Sequence, residues 1–540
     1  MSKLILGKFF DLFKNENEKI KSTKSIKDRT LIRANAQNKN SILISIKRLE
    51  NTEITLYNKE ILKNKKIDYE NSLSDEQKRA LTAIDGQFLV IAGAGSGKTR
   101  TIVYRTSLLL ELGVNPEEIL MITFTKKAAS EMKERVEELL KRNMKELEIS
   151  TFHSFCAKQI LKQKKFFNIE GLNILEEKVK YKKLKELTEK FHIKKIKRVP
   201  FLSGKRIVEL LGKEKFKDTS IENLLTEREK LYQEELFQVI EGYLEFKKEN
   251  KLFEFDDLLD VFINGMEKNE NFKNIIQKEY RYIIVDEYQD SNILQRRLLM
   301  NLVGNSGNLM VVGDDYQSIY GFRGANFENI LRFAEDFPKS KMIKLETNYR
   351  STDEIIGYCN RISKRFLLSY NKVAKGIGKK GPKPYIYSFK TKEKEAVFIM
   401  EKIQKLLVDG IKIEDIAILY RNKFVVIHII KELQKAKINY YLKKKEDADN
   451  GNVGYEKDSK GKISIVSVHS SKGLEWDYVF IPVMLEGIFP GGDTVEIVEE
   501  EKRLYYVGCS RAKFVLYLTY PEYFYEKTGF YSKKSRFLEY

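Results

Sequence analysis

Apolar residues along this chain gather into short, nearly unbroken runs, each followed by a stretch whose apolar positions recur at helical spacing. From about residue 71 the runs are Gln87–Ala92, Ile119–Phe124, Tyr280–Val285, Asn308–Val312 and Met342–Leu345. A second series follows at Tyr385–Phe389, Asp415–Tyr420, Ile463–Val468, Tyr478–Pro482 and Phe514–Thr519. A strand with one wet face alternates apolar and polar residues, whereas an unbroken apolar strand is covered on both faces. Such strands, alternating with helices, predict parallel sheets between helical layers, and two series predict two α/β domains.

The pattern is interrupted twice. Residues 156–255 are charged and helical in character with few strand signals, so they read as a helical insertion into the first α/β domain. The second interruption, Lys443–Lys462, is short, polar and carries Gly451, Gly454 and Gly461, which reads as a loop. The expected division is therefore residues 71–155 with 256–345 as the first α/β domain, 156–255 as a helical accessory subdomain, and 346–540 as the second α/β domain. Residues 1–70, rich in Lys, Asn and Glu with little periodicity, read as an N-terminal extension of unknown role.

Length and composition agree with several soluble domains: 540 residues, 42% hydrophobic and 33% charged. The formal net charge of +20 points to a polyanionic partner, nucleic acid before an anionic membrane surface. A Lys-rich composition that serves solubility alone accounts for the charge equally well. The same alternatives hold for Lys178–Arg198, which carries ten Lys and Arg against only Glu186 and Glu189. Cys156, Cys359 and Cys509 lie far apart and form no CxxC pair, so no disulfide framework, zinc site or iron–sulfur cluster is expected. The N-terminus lacks the apolar core of a signal peptide and no apolar run reaches the ~20 residues of a membrane span, so a cytoplasmic protein without a membrane partner is expected.

The sharpest local chemistry is Phe88–Thr99, an apolar run leading through Ala92, Gly93, Ala94, Gly95, Ser96 and Gly97 to Lys98, Thr99 and Arg100. Glycines let backbone N–H groups wrap a phosphate, and the following helix N-terminus adds a favourable dipole. Lys98 is placed to reach β- and γ-phosphates and Thr99 to hold Mg²⁺. Ala92 stands where the strict pattern has glycine. The second signal is Tyr282–Asp290, an apolar run ending in paired carboxylates. Asp286 suits Mg²⁺ coordination and Glu287 suits polarising a water. Acids often end strands without function, but NTP hydrolysis needs both a cradle and a metal-linked acid, and both are here. Arg350 and Arg511 are candidate γ-phosphate arginines, a role worth about 10³–10⁵ in rate. Either one alone is better read as a surface ion pair.

The ordered set of segments resembles superfamily 1 helicases of the UvrD/Rep family. The segments are Leu73–Gln77, Ala92–Thr99, Ile122–Ala129, Thr151–Ser154, Phe255–Leu258, Asp286–Asp290, Val312–Tyr320, Asn348–Ser351, Val468–Glu475 and Arg503–Ala512, all in the family's order. Ser535–Leu538 also resembles the family's C-terminal end. The resemblance implies an α/β fold of two RecA-like P-loop NTPase domains and an ATP-dependent DNA helicase that uses ATP and Mg²⁺. It implies movement 3′→5′ on single-stranded DNA, with single/double-strand junctions as substrates and no protein partner specified. Gln77 would read the adenine edge, Tyr349 stack on the base, Glu475 contact the ribose, and Gln317 sense the γ-phosphate. Arg350 and Arg511 would act on the γ-phosphate from opposite domains. Phe124, His153, Tyr320, Phe322, Arg323 and His469 would line the DNA track. Aromatic stacking there is worth about 1–3 kcal/mol per base without sequence preference; Phe124 is also read as an ordinary core residue.

The chain departs from the family at several points. Phe322 stands for the usual Trp, Ser467 and Ser510 for threonines, and Trp476 for a phenylalanine. Arg350 and His469 are only 119 positions apart, where larger family members insert a second accessory subdomain. That element is expected to be missing or reduced to Lys443–Lys462, which leaves translocation intact and duplex unwinding in question. An ATP-driven translocase or protein-displacing remodelling factor is thus the alternative to a helicase, and RNA as substrate is not excluded by stacking and phosphate contacts.

Overall fold

The computed structural model describes residues 29–191, 200–217, 219–304, 307–321, 324–442, 459–526 and 529–540, with the backbone alone described at 29–37, 216–217 and 526. Two six-stranded sheets, each parallel throughout, organise it. The first holds β1 (Gln87–Ala92), β2 (Ile119–Thr123) and β3 (Glu148–Thr151). A two-residue parallel pair, β4 (Asn173–Ile174) with β5 (Leu252–Phe253), interrupts the sequence, and β6 (Tyr282–Val285), β7 (Asn308–Gly313) and β8 (Lys341–Leu345) complete the sheet in the order β3-β2-β6-β7-β1-β8. The second sheet contains β9 (Tyr385–Phe389), β10 (Ile416–Tyr420), β11 (Tyr440–Leu442), β12 (Ile463–Ser467), β13 (Trp476–Ile481) and β14 (Ala512–Pro521), in the order β11-β12-β10-β13-β14-β9. The central strands are buried along their whole length, as their unbroken apolar runs require.

Both edges supplied strands that the apolar pattern passed over. β3 reads Glu-Ile-Ser-Thr and β11 is three half-buried residues, too polar or too short to stand out. Edge strands are covered on one side only, so their sequences carry a weaker signal.

The boundary expected at residue 71 falls inside packed structure. Helix Arg29–Glu50 turns Ile42, Ile46 and Leu49 into the core of the first sheet, at the i, i+4, i+7 spacing of one helical face. Ile54 N then donates to Met342 O at 2.8 Å, and Lys344 pairs with Glu53 at 2.9 Å, so the segment abuts β8. The boundary at 156 likewise lies within a helix, Phe152–Lys162, whose Phe155, Cys156 and Ile160 belong to the same core. The helical insertion has a core of its own, in which Leu184, Leu187, Ile207, Leu210, Leu236 and Tyr243 meet. At its root the buried Asp257 accepts from the half-buried Lys215 at 2.6 Å and the buried Lys247 at 2.5 Å, which ties the insertion to helix Phe255–Lys268.

Between Arg350 and His469 the described residues are spent on β9 to β12, the helices Asp353–Ser363, Lys392–Val408 and Ile427–Lys435, and the segment that joins them. Of the expected loop Lys443–Lys462, residues 443–458 lie outside the described residues. No helix among the described residues is long and apolar enough to cross a membrane.

One buried acid gives the second lobe a pH signature. Glu395, on helix Lys392–Val408, accepts from Val483 N at 3.0 Å and from Thr519 Oγ1, both at Oε1. Burial raises its pKa to about 7, from 4.5 when exposed. The folded state therefore holds a proton that the unfolded state releases, and stability falls as pH rises through the window from 4.5 to about 7. Glu395→Gln keeps the Oε1 acceptor and removes the ionisation. The variant should gain on the wild type by about 1–3 kcal/mol between pH 5 and pH 8, at 1.36 kcal/mol per pKa unit. Urea denaturation at both pH values measures this; an equal difference at the two would refute the assignment.

Candidate functional site

The carboxyl ends of the first sheet's strands converge on one cleft, the usual place for ligands in an open α/β sheet. β1 runs into Gly93–Gly97 and then helix Lys98–Glu111, with Lys98 and Thr99 as its first two residues and Gly97, at φ +80°, as its cap. Ala92 is the last buried residue of the strand, and Ser96 Oγ folds back to donate to Gly93 O at 2.8 Å. Two glycines in this loop are sterically required. A Cβ on Gly95 would stand 2.7 Å from Arg350 Cβ and 2.9 Å from Asn348 Oδ1, and one on Gly97 would stand 2.7 Å from Gln77 Nε2. Both have positive φ.

Gln77 closes one side of the loop. Its amide completes the capping box of helix Asp75–Thr82 by accepting from Ser74 N at 3.2 Å, and it donates to Ser96 O at 3.1 Å. One N–H and one lone pair remain for a ligand. Arg100 turns away, donating to Ser72 O at 2.9 Å and lying over the Tyr104 ring. On the other side Asn348 Nδ2 donates to Ala94 O at 2.8 Å and Tyr349 N to Gly95 O at 2.9 Å. The Tyr349 ring itself stays 37% exposed, beside the loop and open to stacking.

β6 and β7 deliver the acids. Asp286 is buried at the end of β6 and accepts from Glu287 N at 2.9 Å; Glu287 has the left-handed φ of +52° that a non-glycine residue adopts only where its surroundings hold it there. Burial and the adjoining Glu287 raise the pKa of Asp286. Glu287 is driven the other way: burial would raise it, but the Lys98 and Lys472 ammoniums hold it ionised. Asp286 and Thr99 offer two hard oxygen donors beside a phosphate loop, which fits Mg²⁺; a cation there would offset the burial penalty on Asp286.

Cations face this cleft from the segment after β8 and from the second lobe. Arg350 donates through Nε to Glu475 Oε2 at 2.6 Å and through Nη1 to Ser510 O at 3.1 Å. Burial pushes the Glu475 carboxyl up, but the Arg350 guanidinium beside it holds its pKa below the usual carboxylate value. Arg511 is buried, and burial followed by repulsion from Arg350 pushes its pKa down. Its Nη2 donates to Gln317 Oε1 at 3.0 Å, which joins the end of β7 to the second lobe. Sequence reasoning gave no role to Lys472, yet it is the most direct bridge: it donates to Asp290 and to Gln317 O at 3.0 Å, and lies 3.5 Å from Glu287. Burial pushes Asp290 up to about 6 even so.

The expected DNA residues fall into two groups. At the carboxyl ends of β2 and β3, where Thr123 pairs with Thr151, Phe124 stands edge-on to Phe152 at 6.1 Å, partly packed on the core. Next to it His153 Nε2 is 3.1 Å from Asp256 Oδ1 and edge-on to Phe255. Phe255, the first residue of the segment Phe255–Leu258, is 62% exposed. A cleft of ≈220 Å³ opens beside them, lined by Lys126, Ser130, Lys133, Thr151 and Ser154. Ser150, also on its wall, has a buried Oγ with no partner among the described residues. The second group lies at the lobe junction: the Lys472 ammonium sits 5.2 Å from the Tyr320 ring, and His469 is in the turn just before it. Phe322 and Arg323 lie outside the described residues.

Comparison with known proteins gives a consistent picture. Residues 73–338 match the family model for the UvrD/REP helicase N-terminal domain, and residues 343–447 and 450–523 match that for the UvrD-like helicase C-terminal domain. The chain is 35% identical over 376 residues to an ATP-dependent DNA helicase PcrA of Staphylococcus epidermidis, covering 69% of this chain and 51% of that protein. It is 36% identical over 356 residues to an ATP-dependent DNA helicase PcrA of Staphylococcus aureus, covering 65% and 48%. The matched region thus spans about half the length of these relatives.

The glycine geometry yields a direct test. Gly97→Ala should destabilise the protein by about 1–2 kcal/mol, the cost of a left-handed alanine, plus the collision with Gln77. Gln77→Ala in the same chain should recover the collision part. Denaturation curves that are additive for the two substitutions would show that the loop and Gln77 do not touch.

Proposed function

Because this chain belongs to the UvrD/Rep-type superfamily 1 helicases, we propose that it is an ATP-driven motor that moves 3′→5′ along single-stranded DNA and unwinds duplex at junctions. The observation that carries this reading is that Lys472 and Arg511 of the second lobe meet the carboxyl ends of the first sheet, at Asp290 and Glu287 and at Gln317, while Arg350, on the segment after β8, stands against the phosphate loop. A triphosphate in that cleft is gripped from both sides, so its turnover changes how the lobes sit.

The residues divide the work as follows. The loop Gly93–Gly97 and Lys98 take the phosphates; Gln77 reads the adenine with its remaining amide capacity, and Tyr349 stacks on the base. Thr99 and Asp286 would hold Mg²⁺, which would supply charge neutralisation for the phosphates. Glu287, kept ionised by Lys98 and Lys472, orients the attacking water and accepts its proton. The Arg350–Glu475 pair is poised to exchange partners: Arg350 turns to the γ-phosphate, which frees the Glu475 carboxylate for ribose hydroxyls. Hydrolysis and phosphate loss restore the pair. Each state has its own set of contacts, which is what coupling between nucleotide and lobe position requires.

The strand track runs past Phe124, His153 and the lysine- and hydroxyl-lined cleft towards Tyr320 and His469. Phe255 joins the stacking surface. Lys126 and Lys133 pair with phosphates, giving affinity without sequence choice.

A second reading rests on the short interval between Arg350 and His469, where the described residues are absorbed by the second sheet and its helices. A motor of that form translocates and displaces bound proteins with little intrinsic unwinding.

Single-stranded DNA should stimulate ATP turnover at least tenfold, and Lys98→Ala should abolish it. Strand displacement should proceed from 3′ tails; unwinding only from 5′ tails refutes the polarity, and translocation without displacement selects the second reading. Phe255→Ala should weaken single-strand binding by about 1–2 kcal/mol, the worth of a stacked base, with ATP affinity unchanged. Fluorescence anisotropy on labelled oligonucleotides reads this, and unchanged affinity removes Phe255 from the track.

A further inference from the structure

Asp314 and Asp315 lie side by side at the carboxyl end of β7, and neither has more than 1% exposure. Adjacent carboxylates stripped of water repel each other, so they remain ionised only with a cation in contact. The cation is Lys372. It belongs to the segment that follows helix Asp353–Ser363 and returns to the first lobe, where Tyr370 N donates to Asp315 Oδ2 at 2.8 Å and Lys375 N to Glu346 O at 2.8 Å. Lys372 is buried. Its ammonium donates to Asp314 Oδ1 at 2.5 Å and to Asp315 Oδ1, and stands 3.7 Å from the centroid of the Tyr316 ring.

The next bonds give this contact its consequence. Asp314 Oδ2 accepts from Gln317 Nε2 at 2.6 Å, and Gln317 Oε1 accepts from Arg511 Nη2 at 3.0 Å. A carboxylate accepts and does not donate, so the amide must present its NH₂ to Asp314 and its oxygen to Arg511. A protonated Asp314 would donate instead, and the amide would be free to turn its NH₂ towards a guanidinium that has only donors. The Asp314 backbone N–H also donates, at 2.9 Å, to Gln289, whose amide holds Glu287. Ammonium, carboxylate, amide and guanidinium thus form one ordered chain from the interlobe segment to the candidate arginine finger.

We propose that Lys372 is a positioning residue of the ATP site: it holds Asp314 as a carboxylate in place, fixes the orientation of Gln317 through it, and so aims Arg511. This rests on the ATPase reading above. Lys372 does not touch the nucleotide; it acts through Gln317.

The test uses the full chain with ATP and single-stranded DNA. Lys372→Met should lower DNA-stimulated kcat at least tenfold while KM for ATP stays within about threefold, because the loop, Lys98 and Gln77 are untouched. Combined with Gln317→Ala, its effect should be far from additive, since both substitutions break the same chain. A purely structural lysine would give additive losses or move KM and kcat together, and either result overturns the proposal. If Lys372→Met does not fold, Lys372→Met with Asp315→Asn decides. It has the wild-type local charge, one net negative, but no ammonium on Asp314. Its kcat should remain at least fivefold down, and a kcat within about twofold of wild type would show that Lys372 only balances charge. A wild-type chain that turns over no ATP defeats the ATPase reading and the proposal with it. An active wild type beside an equally active Lys372→Met defeats the proposal alone.

Discussion

Five carboxylates, Asp286, Glu287, Asp290, Asp314 and Asp315, crowd the carboxyl ends of β6 and β7, nearly all without solvent. Burying one ion costs several kcal/mol even after relaxation, and like charges add to the penalty. The first lobe cannot meet that cost alone. Its Lys98 acts on this cluster, but the contacts come from beyond the first sheet: Lys472 on Asp290 and Glu287, and Lys372 on Asp314 and Asp315. Arg511 completes the set through Gln317. The interface between lobes is therefore an electrostatic necessity of the acid cluster, and Arg350, Arg511, Lys372 and Lys472 already have partners before any nucleotide is bound.

Sheet topology makes this crowding unavoidable. β1 lies between β7 and β8, and β6 pairs with β7, so the phosphate loop, the paired carboxylates, the Gln317 turn and the Asn348–Arg350 segment all leave the sheet on the same side. In the second lobe the turns after β12 and before β14 carry Lys472 and Arg511, and Trp476 N donates to Arg511 O at 3.0 Å. The connecting turns of the second sheet are thus clamped to the strand ends of the first by a handful of side chains, which is the arrangement a two-lobed motor needs and a single-lobed phosphate binder does not.

The parallel sheets were readable because buried strands write themselves as unbroken apolar runs, and the phosphate loop and Asp286–Glu287 because their chemistry demands fixed local spacing. Lys472 and Lys372 were not readable as bridges: their carboxylate partners lie 182 and 58 residues away, and a lysine in sequence looks the same whether it ends in water or in a salt bridge. Phe255 has the same difficulty in reverse, an apolar residue whose exposure only the fold reveals. The helix Arg29–Glu50 was within reach, since Ile42, Ile46 and Leu49 share one face, but lysines and asparagines around them mask the stripe.

The same charge bookkeeping bears on how the lobes move. Under the proposed reading, ATP would bring several negative charges into a cleft where Arg350 is already bound to Glu475 and Arg511 to Gln317. The phosphates do not add cations; they compete for those present. Arg350 has an easy exchange, because Glu475 is its half-exposed partner and can be rehydrated when released. Lys372 and Lys472 have no such exit, since both are almost entirely buried against their acids. Under the proposed ATPase reading, the Arg350 contact is the one a nucleotide would exchange, and the two buried lysine bridges are the ones it would leave in place.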